Sequence, residues 1–430
     1  MSEMTENEII SQFSQLNYAK LRKLIIKDLN SSYSASSILL KKYSRDSIIK
    51  YLESPDKNEK PLQEMSEFLY NVSPYYKRLI DYMSELTTDN YWLSPMEREI
   101  PNLDSFQTCY LETAKKYSRY SFKTINPQIR KEVFLKGIYY GICFESKDSF
   151  CLKKLDVNYC KISSIEDGSL FFSFDLDYFN SKAHFALIKE YGNDFVKAYR
   201  RYKGDPELGI PADKTQRWFE PKNQICVKLD PSVTEYALPY FMGLFSAILE
   251  IDIYKEIKKD GAILDNYKVL AMQMATDENG VPTMSFEKAK QYYDHAAQNL
   301  PEGVGLIMSP FKMDDFSLRN TGTTDDDIAE NATKQFWANA GVNPLLFGIG
   351  SNPTSATLEL GIRTDEAIVF YINSNIAKSF NTIYKKTNPD YMFNVVFVDQ
   401  TLFNKTTLID SLTKGGSYGL PVNPRAVSSR

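Results

Sequence analysis

Apolar positions along this 430-residue chain change their period several times, and each change predicts a new element. Leu21, Leu24, Ile25 and Leu29 recur at helical spacing, which predicts a helical arm within residues 1–60. Lys20, Arg22, Lys23 and Lys27 surround them, a pattern that suits a solvated face or contact with a polyanion or partner. Pro61 starts a second helical segment, with Phe68, Val72, Tyr75, Leu79, Met83 and Leu86 on one face. Ser73-Pro74 is expected to kink or restart it, because proline has no backbone N–H to give. The turn-rich cluster Thr87-Thr88-Asp89-Asn90 closes it.

From Val133 the pattern turns to β-branched and aromatic residues. Gly137 to Phe144, Phe150 to Leu152, Asn158 to Ile162 and Ser169 to Asp175 read as short antiparallel strands, with a turn at Glu166-Asp167-Gly168. A helix-turn segment covers 181–203, and strand returns at Trp218 to Pro221 and Gln224 to Leu229. A long helix is expected from Asp230-Pro231-Ser232, apolar all round to Ile253 and ending in Lys258-Lys259-Asp260-Gly261. A β-rich stretch, Ile263 to Met274, follows, then a turn at Asp277 to Gly280 and a helix from Ser285 to Asn299. Leu306-Ile307-Met308 suits a strand, and Thr324 caps a helix with the stripe Ile328, Ala332, Phe336 and Ala340. Gly341 and Pro344 end that helix. An uncharged loop, Gly348 to Thr357, precedes a long helix to Lys386, and Phe393 to Val398 is a last strand. This succession predicts an α+β fold.

Composition narrows the function. Fifty-one Lys+Arg against 55 Asp+Glu leave a formal charge of -4, which argues against a protein that coats DNA through dense phosphate contacts. Five cysteines without a C-x-x-C, and only His184 and His295, give poor support for disulfides, zinc or a histidine triad. No signal peptide is visible. The longest apolar run, Tyr236 to Leu249, is too short for a bilayer and holds Pro239 and Gly243, so no membrane partner is expected.

Catalytic motifs are missing as well. Gly204 and Gly209 have the glycine spacing of a phosphate loop, but Ile210 stands where its lysine belongs. Asp325, Asp326, Asp327 and Glu330 suit Mg²⁺ ligation, but the favoured reading is an anionic helix N-terminus, where the macrodipole attracts carboxylates. Asp175 and Asp177 are expected on one solvated strand face. No cofactor, metal site or catalytic residue is assigned.

Four stretches in order resemble the portal protein family of tailed bacteriophages. Phe68 to Tyr82 is similar to the family's early helix, and Gly137 to Cys160 to its strand pair, with a turn at Leu155-Asp156-Val157. Phe336 to Gly348 resembles the family's helix and its G-V-P turn, although Asn343 intervenes before Pro344. Leu412-Thr413-Lys414-Gly415-Gly416 resembles the glycine turn ahead of a C-terminal crown.

The resemblance implies a wing over 61–229 and again over 301–400. It implies stem helices at 230–260 and 285–300, a clip at 261–284 and a short or trimmed crown from 401 to 430. Within the loop 348–357, Gly350, Ser351, Asn352, Pro353, Thr354 and Ser355 would line a DNA channel. Asp265, Asn266, Tyr267, Asp277, Glu278 and Asn279 of the clip would meet partner proteins. Such a chain would not be an enzyme. It would form a ring, typically a dodecamer, assembled in the host cytoplasm and held at one capsid vertex of the virion. Double-stranded DNA would pass through it, and terminase, major capsid, scaffolding and head-tail adaptor proteins would be its partners. The alternatives are a Mg²⁺-dependent nucleic-acid enzyme using the Asp325 cluster, or another phage structural or adaptor protein.

Overall fold

The computed structural model describes residues 42–96, 100–146, 149–205, 209–265, 268–273, 283–299, 304–309, 316–317, 325–348, 355–385 and 391–419. Most of the expected N-terminal arm lies outside them. The first described helices are Arg45–Glu53 (α1), Glu59–Val72 (α2) and Pro74–Glu85 (α3). Ser73 separates the last two: its hydroxyl accepts from Tyr76 N–H and Pro74 takes the first helical position, where a missing donor costs nothing. Strand Tyr91–Pro95 (β1) leads to helices Leu103–Ser118 (α4) and Phe122–Lys136 (α5), which no sequence period announced.

The antiparallel strands follow as expected. They are Ile138–Glu145 (β2), Phe150–Lys154 (β3), Cys160–Glu166 (β4) and Ser169–Asp175 (β5). Asp167 and Gly168 both have positive φ, which gives the β4–β5 hairpin its twist. Short helices Lys182–Ala186 (α6) and Asn193–Lys203 (α7) precede strands Trp218–Phe219 (β6) and Gln224–Lys228 (β7). Two three-stranded sheets result, in the orders β3-β2-β7 and β4-β5-β6. Ile138, Tyr140, Phe172, Phe174, Phe179 and Phe195 form the core between these strands and the α6–α7 segment.

The helix expected from Ser232 begins instead at Phe245 and runs to Asp265 (α8). The apolar residues before it serve a different end. Ala237 N–H donates to Glu59 Oε1, Tyr240 N–H donates to Phe134 O, and Phe241 lies against Phe134 at 5.9 Å. They pack an irregular segment onto α2 and α5, and their spacing only mimics a helix. Gly261 does not stop α8, because Ala262, Ile263 and Leu264 favour helix enough to outweigh one glycine. Asp265 is therefore the last helical residue and not part of a loop.

Strand Lys268–Gln273 (β8), helix Phe286–Asn299 (α9) and strands Val304–Ser309 (β9) and Phe316–Ser317 (β10) come next. β8 pairs in parallel with β9 and antiparallel with β10. Parallel neighbours need a crossover, and α9 is that crossover. Tyr293 on α9 is buried and donates to Leu306 O of β9 at 2.8 Å. The helix expected at 285–300 as half of a long stem pair is therefore one side of a small β-α-β layer.

The remaining elements are Asp325–Asn339 (α10), Ser355–Lys385 (α11), Phe393–Phe397 (β11) and Lys405–Ser417 (α12). β11 closes an antiparallel ribbon with β1. Gly415 and Gly416, expected in a turn, lie within α12. The chain divides into two compact units. The larger holds Asp46–Phe245 and Trp337–Arg430, and the smaller contains Ser246–Phe336 together with the residues up to Arg45, which pairs with Glu250 at 3.3 Å. Residues 246–336 are thus an insertion whose two ends belong to one body.

That body is pinned by a polar centre. Arg130 on α5 is fully buried; its guanidinium meets both oxygens of Asp89 at 2.6 and 2.8 Å, donates to Ser84 O at 2.7 Å, and reaches Asn373 Oδ1 of α11 at 2.6 Å. Burying such a pair is costly unless its remaining donors are met, and here α3 and α11 meet them through Ser84 O and Asn373 Oδ1.

Candidate functional site

The turn that leads into the expected channel loop is well packed. Asn343, the residue that departs from the family's spacing, caps the turn Pro344–Phe347 by accepting from Leu345 N–H at 3.1 Å. Gly361 on α11 lets that asparagine approach, since a Cβ there would lie 2.8 Å from Asn343 Cβ. Phe347 stacks on Trp337 at 3.6 Å and meets the edge of Tyr82 at 5.5 Å. Gly348 closes the turn with φ of +79°. Helix α11 already begins at Ser355, so Ser355 to Thr357 belong to a helix and not to the loop. Gly350, Ser351, Asn352, Pro353 and Thr354 lie outside the described residues.

Tyr82 links this root to the polar interior. Its hydroxyl donates to Asp365 Oδ2 at 2.9 Å, and Asp365 on α11 is only 3% exposed. Burial pushes the Asp365 carboxyl up to about 6, held back by the Tyr82 bond and assisted by the neighbouring Glu366 charge. Burial likewise raises the Tyr82 phenol. Glu366, also buried, accepts from the Thr401 hydroxyl just after β11. Aromatic stacking therefore fixes the turn that ends at Gly348, and Tyr82 ties it to the two buried carboxylates of α11.

The expected partner contacts are only partly described. Asp265 ends α8, while Asn266, Tyr267, Asp277, Glu278 and Asn279 lie outside the described residues. Of the four carboxylates of the metal reading, Glu330 faces Lys334 at 2.8 Å one helical turn away. The other three side chains are outside the described set, and among the described residues no three His, Cys, Asp or Glu cluster as metal ligands. Asp175 and Asp177 do not share a strand face. Asp175 ends β5 and Asp177 lies in a 3₁₀ turn, and Arg217 engages both. Gly204 opens a turn closed by paired backbone bonds between Asp205 and Ile210, at 2.8 and 2.9 Å. The Cys143 and Cys226 thiols are pushed up by burial, far from thiolate character. Among the described residues, no helix is long and apolar enough to cross a membrane.

Two features escaped the sequence reading. The Arg130–Asp89–Asn373 centre joins residues about 40 and 240 positions apart, which no local spacing can announce. The Tyr82–Asp365 bond spans a similar gap. A weak signal existed: an arginine in the run Ile129-Arg130 on an otherwise apolar helix face demands a buried acid somewhere.

No family model matches the chain, and no curated protein matches its sequence. Solved structures do show similar chains. One, from the virion of a native gene transfer agent particle, is 12% identical, with 84% of this chain and 90% of that one covered and a TM-score of 0.48. Another, from the neck of the native particle computed with C12 symmetry, is 12% identical over 85% and 94%, with a TM-score of 0.47. The crystal structure of a HK97 family phage portal protein from Corynebacterium diphtheriae is 7% identical over 79% and 94%, with a TM-score of 0.31. At such identities and scores no residue's role transfers. The chain is α+β and is similar to chains of phage-like particle necks and of a phage portal.

Proposed function

We propose that this chain is a portal subunit, one of a ring at a single capsid vertex through which double-stranded DNA is packaged and ejected. The observation that carries the reading is the insertion of 246–336 between two parts of one body. A wing-like body sends out a helix, a small β-rich module and a returning helix, then continues with a loop and a long helix. The β8-α9-β9-β10 layer revises the expected parts. The clip is that whole layer, and α8 and α10, which flank it, are the stem pair. The clip is the surface for terminase and later for head-tail adaptors. The channel loop shortens to 349–354, with Asn352 and Thr354 as its tip.

One sequence feature supports this assignment. The loop between Gly348 and Ser355 has no charged residue, so it contacts a polyanion without the counterion release that would grip phosphates. The chain acts as a passive conduit, with translocation driven by a separate terminase ATPase.

Negative-stain imaging of the purified full-length chain tests the proposal. Closed rings with an axial channel are expected, and the same preparation should not hydrolyse ATP. Monomers at micromolar concentration, or ATP hydrolysis abolished by a point mutation in this chain, would overturn it.

A further inference from the structure

The larger unit holds a cavity of about 600 Å³ beside the core of its antiparallel strands, a size that suits a small-molecule site. Helix α2 lends Glu59 and Gln63 to its lining, β2 lends Tyr140 and β7 lends Lys228. Gln63, Tyr140 and Lys228 are 5%, 5% and 4% exposed, so each is a polar group withdrawn from bulk water, which is costly unless it is paired.

The bonds these residues make leave polar groups over. The Gln63 amide has a fixed orientation, because Nε2 donates to Glu59 Oε1, Lys136 O and Ala237 O, and its Oε1 has no donor facing it. Glu59 Oε1 accepts from Gln63 and from Ala237 N–H, which leaves Oε2. Lys228 Nζ donates to Val233 O and Tyr236 O, and an ammonium has a third N–H to give. The Tyr140 hydroxyl makes no hydrogen bond among the described residues, and burial pushes its phenol up, so it keeps its proton as a donor. One cavity is thus lined by residues with two acceptors and two donors to spare.

The charges are unmatched in the same way. Glu59 and Lys228 feel each other but form no ion pair, and burial pushes the Glu59 carboxyl up and the Lys228 ammonium down. The charges at the rim are engaged or exposed: Lys60 faces Glu64, Lys161 lies over the Trp218 ring at 3.9 Å, and Glu235 is open to solvent. The deeper lining therefore holds one charge of each sign. Ile138, Val157 and Ile162 add an apolar wall.

We propose that this cavity binds a zwitterionic α-amino acid with an apolar side chain. Its carboxylate accepts from Lys228 Nζ and the Tyr140 hydroxyl. Its ammonium donates to Glu59 Oε2 and Gln63 Oε1, and its side chain lies against Ile138, Val157 and Ile162. A ligand with a single charge answers one of the two buried charges and leaves the other uncompensated.

Ligand-observed NMR titration of the full-length chain with L-alanine, L-leucine and L-phenylalanine tests the site. At least one of them is expected to bind. Tyr140→Phe keeps the ring, and Glu59→Gln keeps the Oε1 acceptor. Each should weaken binding about tenfold, the effect of one lost charge-assisted hydrogen bond. The amine and the carboxylic acid that each lack one charge of the bound amino acid should also bind about tenfold more weakly or worse. Failure of all three amino acids to bind, binding that neither substitution weakens, or equal binding of a one-charge analogue overturns the proposal. Ring formation bears on none of these outcomes.

Discussion

Asp365 is a carboxylate whose burial sets a pH dependence of known sign. Its folded value is raised, so the native state holds its proton more tightly than the unfolded chain does. The destabilising cost of its charge is fully present above about pH 6 and fades as pH falls toward an ordinary carboxylate value. From that value to about 6, the difference is worth at most about 3 kcal/mol. Asp365→Asn keeps an acceptor for Tyr82 and removes the charge. Urea denaturation should show the variant more stable at pH 8 by about 1–3 kcal/mol, with the gap roughly halved at pH 5 and closing toward pH 4. An identical gap at both pH values would mean that the carboxyl titrates as an exposed one.

At the scale of elements, the junction between α5 and β2 turns on one residue. Gly137 has φ of +79°, its N–H closes the helix on Val133 O, and its carbonyl accepts from Leu229 N–H. A Cβ there would lie 2.3 Å from Leu238 O and 2.6 Å from Leu238 N, both backbone atoms that cannot swing aside. Gly137→Ala should therefore cost about 3 kcal/mol or more, strain and overpacking together, by chemical denaturation. Gly168 in the β4–β5 hairpin has φ of +74° with open space around it, so Gly168→Ala should cost only about 1–2 kcal/mol. Equal losses would show that conformation alone sets the cost. The neighbouring strands were legible because Ile138 to Phe144 and Ser169 to Asp175 concentrate β-branched and aromatic residues between turn signals. The start of α8 was not, because Leu238 and Phe241 are spaced like a helix while packing an irregular segment. Helices α4 and α5 gave little sign of themselves. α4 buries only Thr113 and Tyr117, too few to make a stripe. Of the site, the loop's composition and the glycine and proline around it could be read. The Trp337–Phe347–Tyr82 root could not, because its parts lie about 250 residues apart.

The whole molecule is one body interrupted by another. If residues 246–336 fold as an insertion, replacing them with a short Gly-Ser linker should leave the larger unit intact. Its core, from Leu62 and Tyr76 to Phe380 and Val395, draws on both sides of the insertion. The shortened chain should melt in one cooperative transition and keep slow amide exchange at Ile138 to Glu145. A chain that shows no transition would mean that the two units fold only together.

The β1–β11 ribbon also sets a timetable for synthesis. Tyr91 faces Phe397, so β1 leaves the ribosome about 300 residues before its only partner strand among those described. At roughly 5–20 residues per second, that wait lasts roughly 15–60 s. Throughout it, the edge of β1 and the buried Arg130, whose partner Asn373 is also still to come, lack their final neighbours. The nascent chain cannot finish its larger unit until β11, the last strand among the described residues, arrives. Chaperone binding during translation should therefore centre on residues 91–130 and end abruptly once β11 emerges.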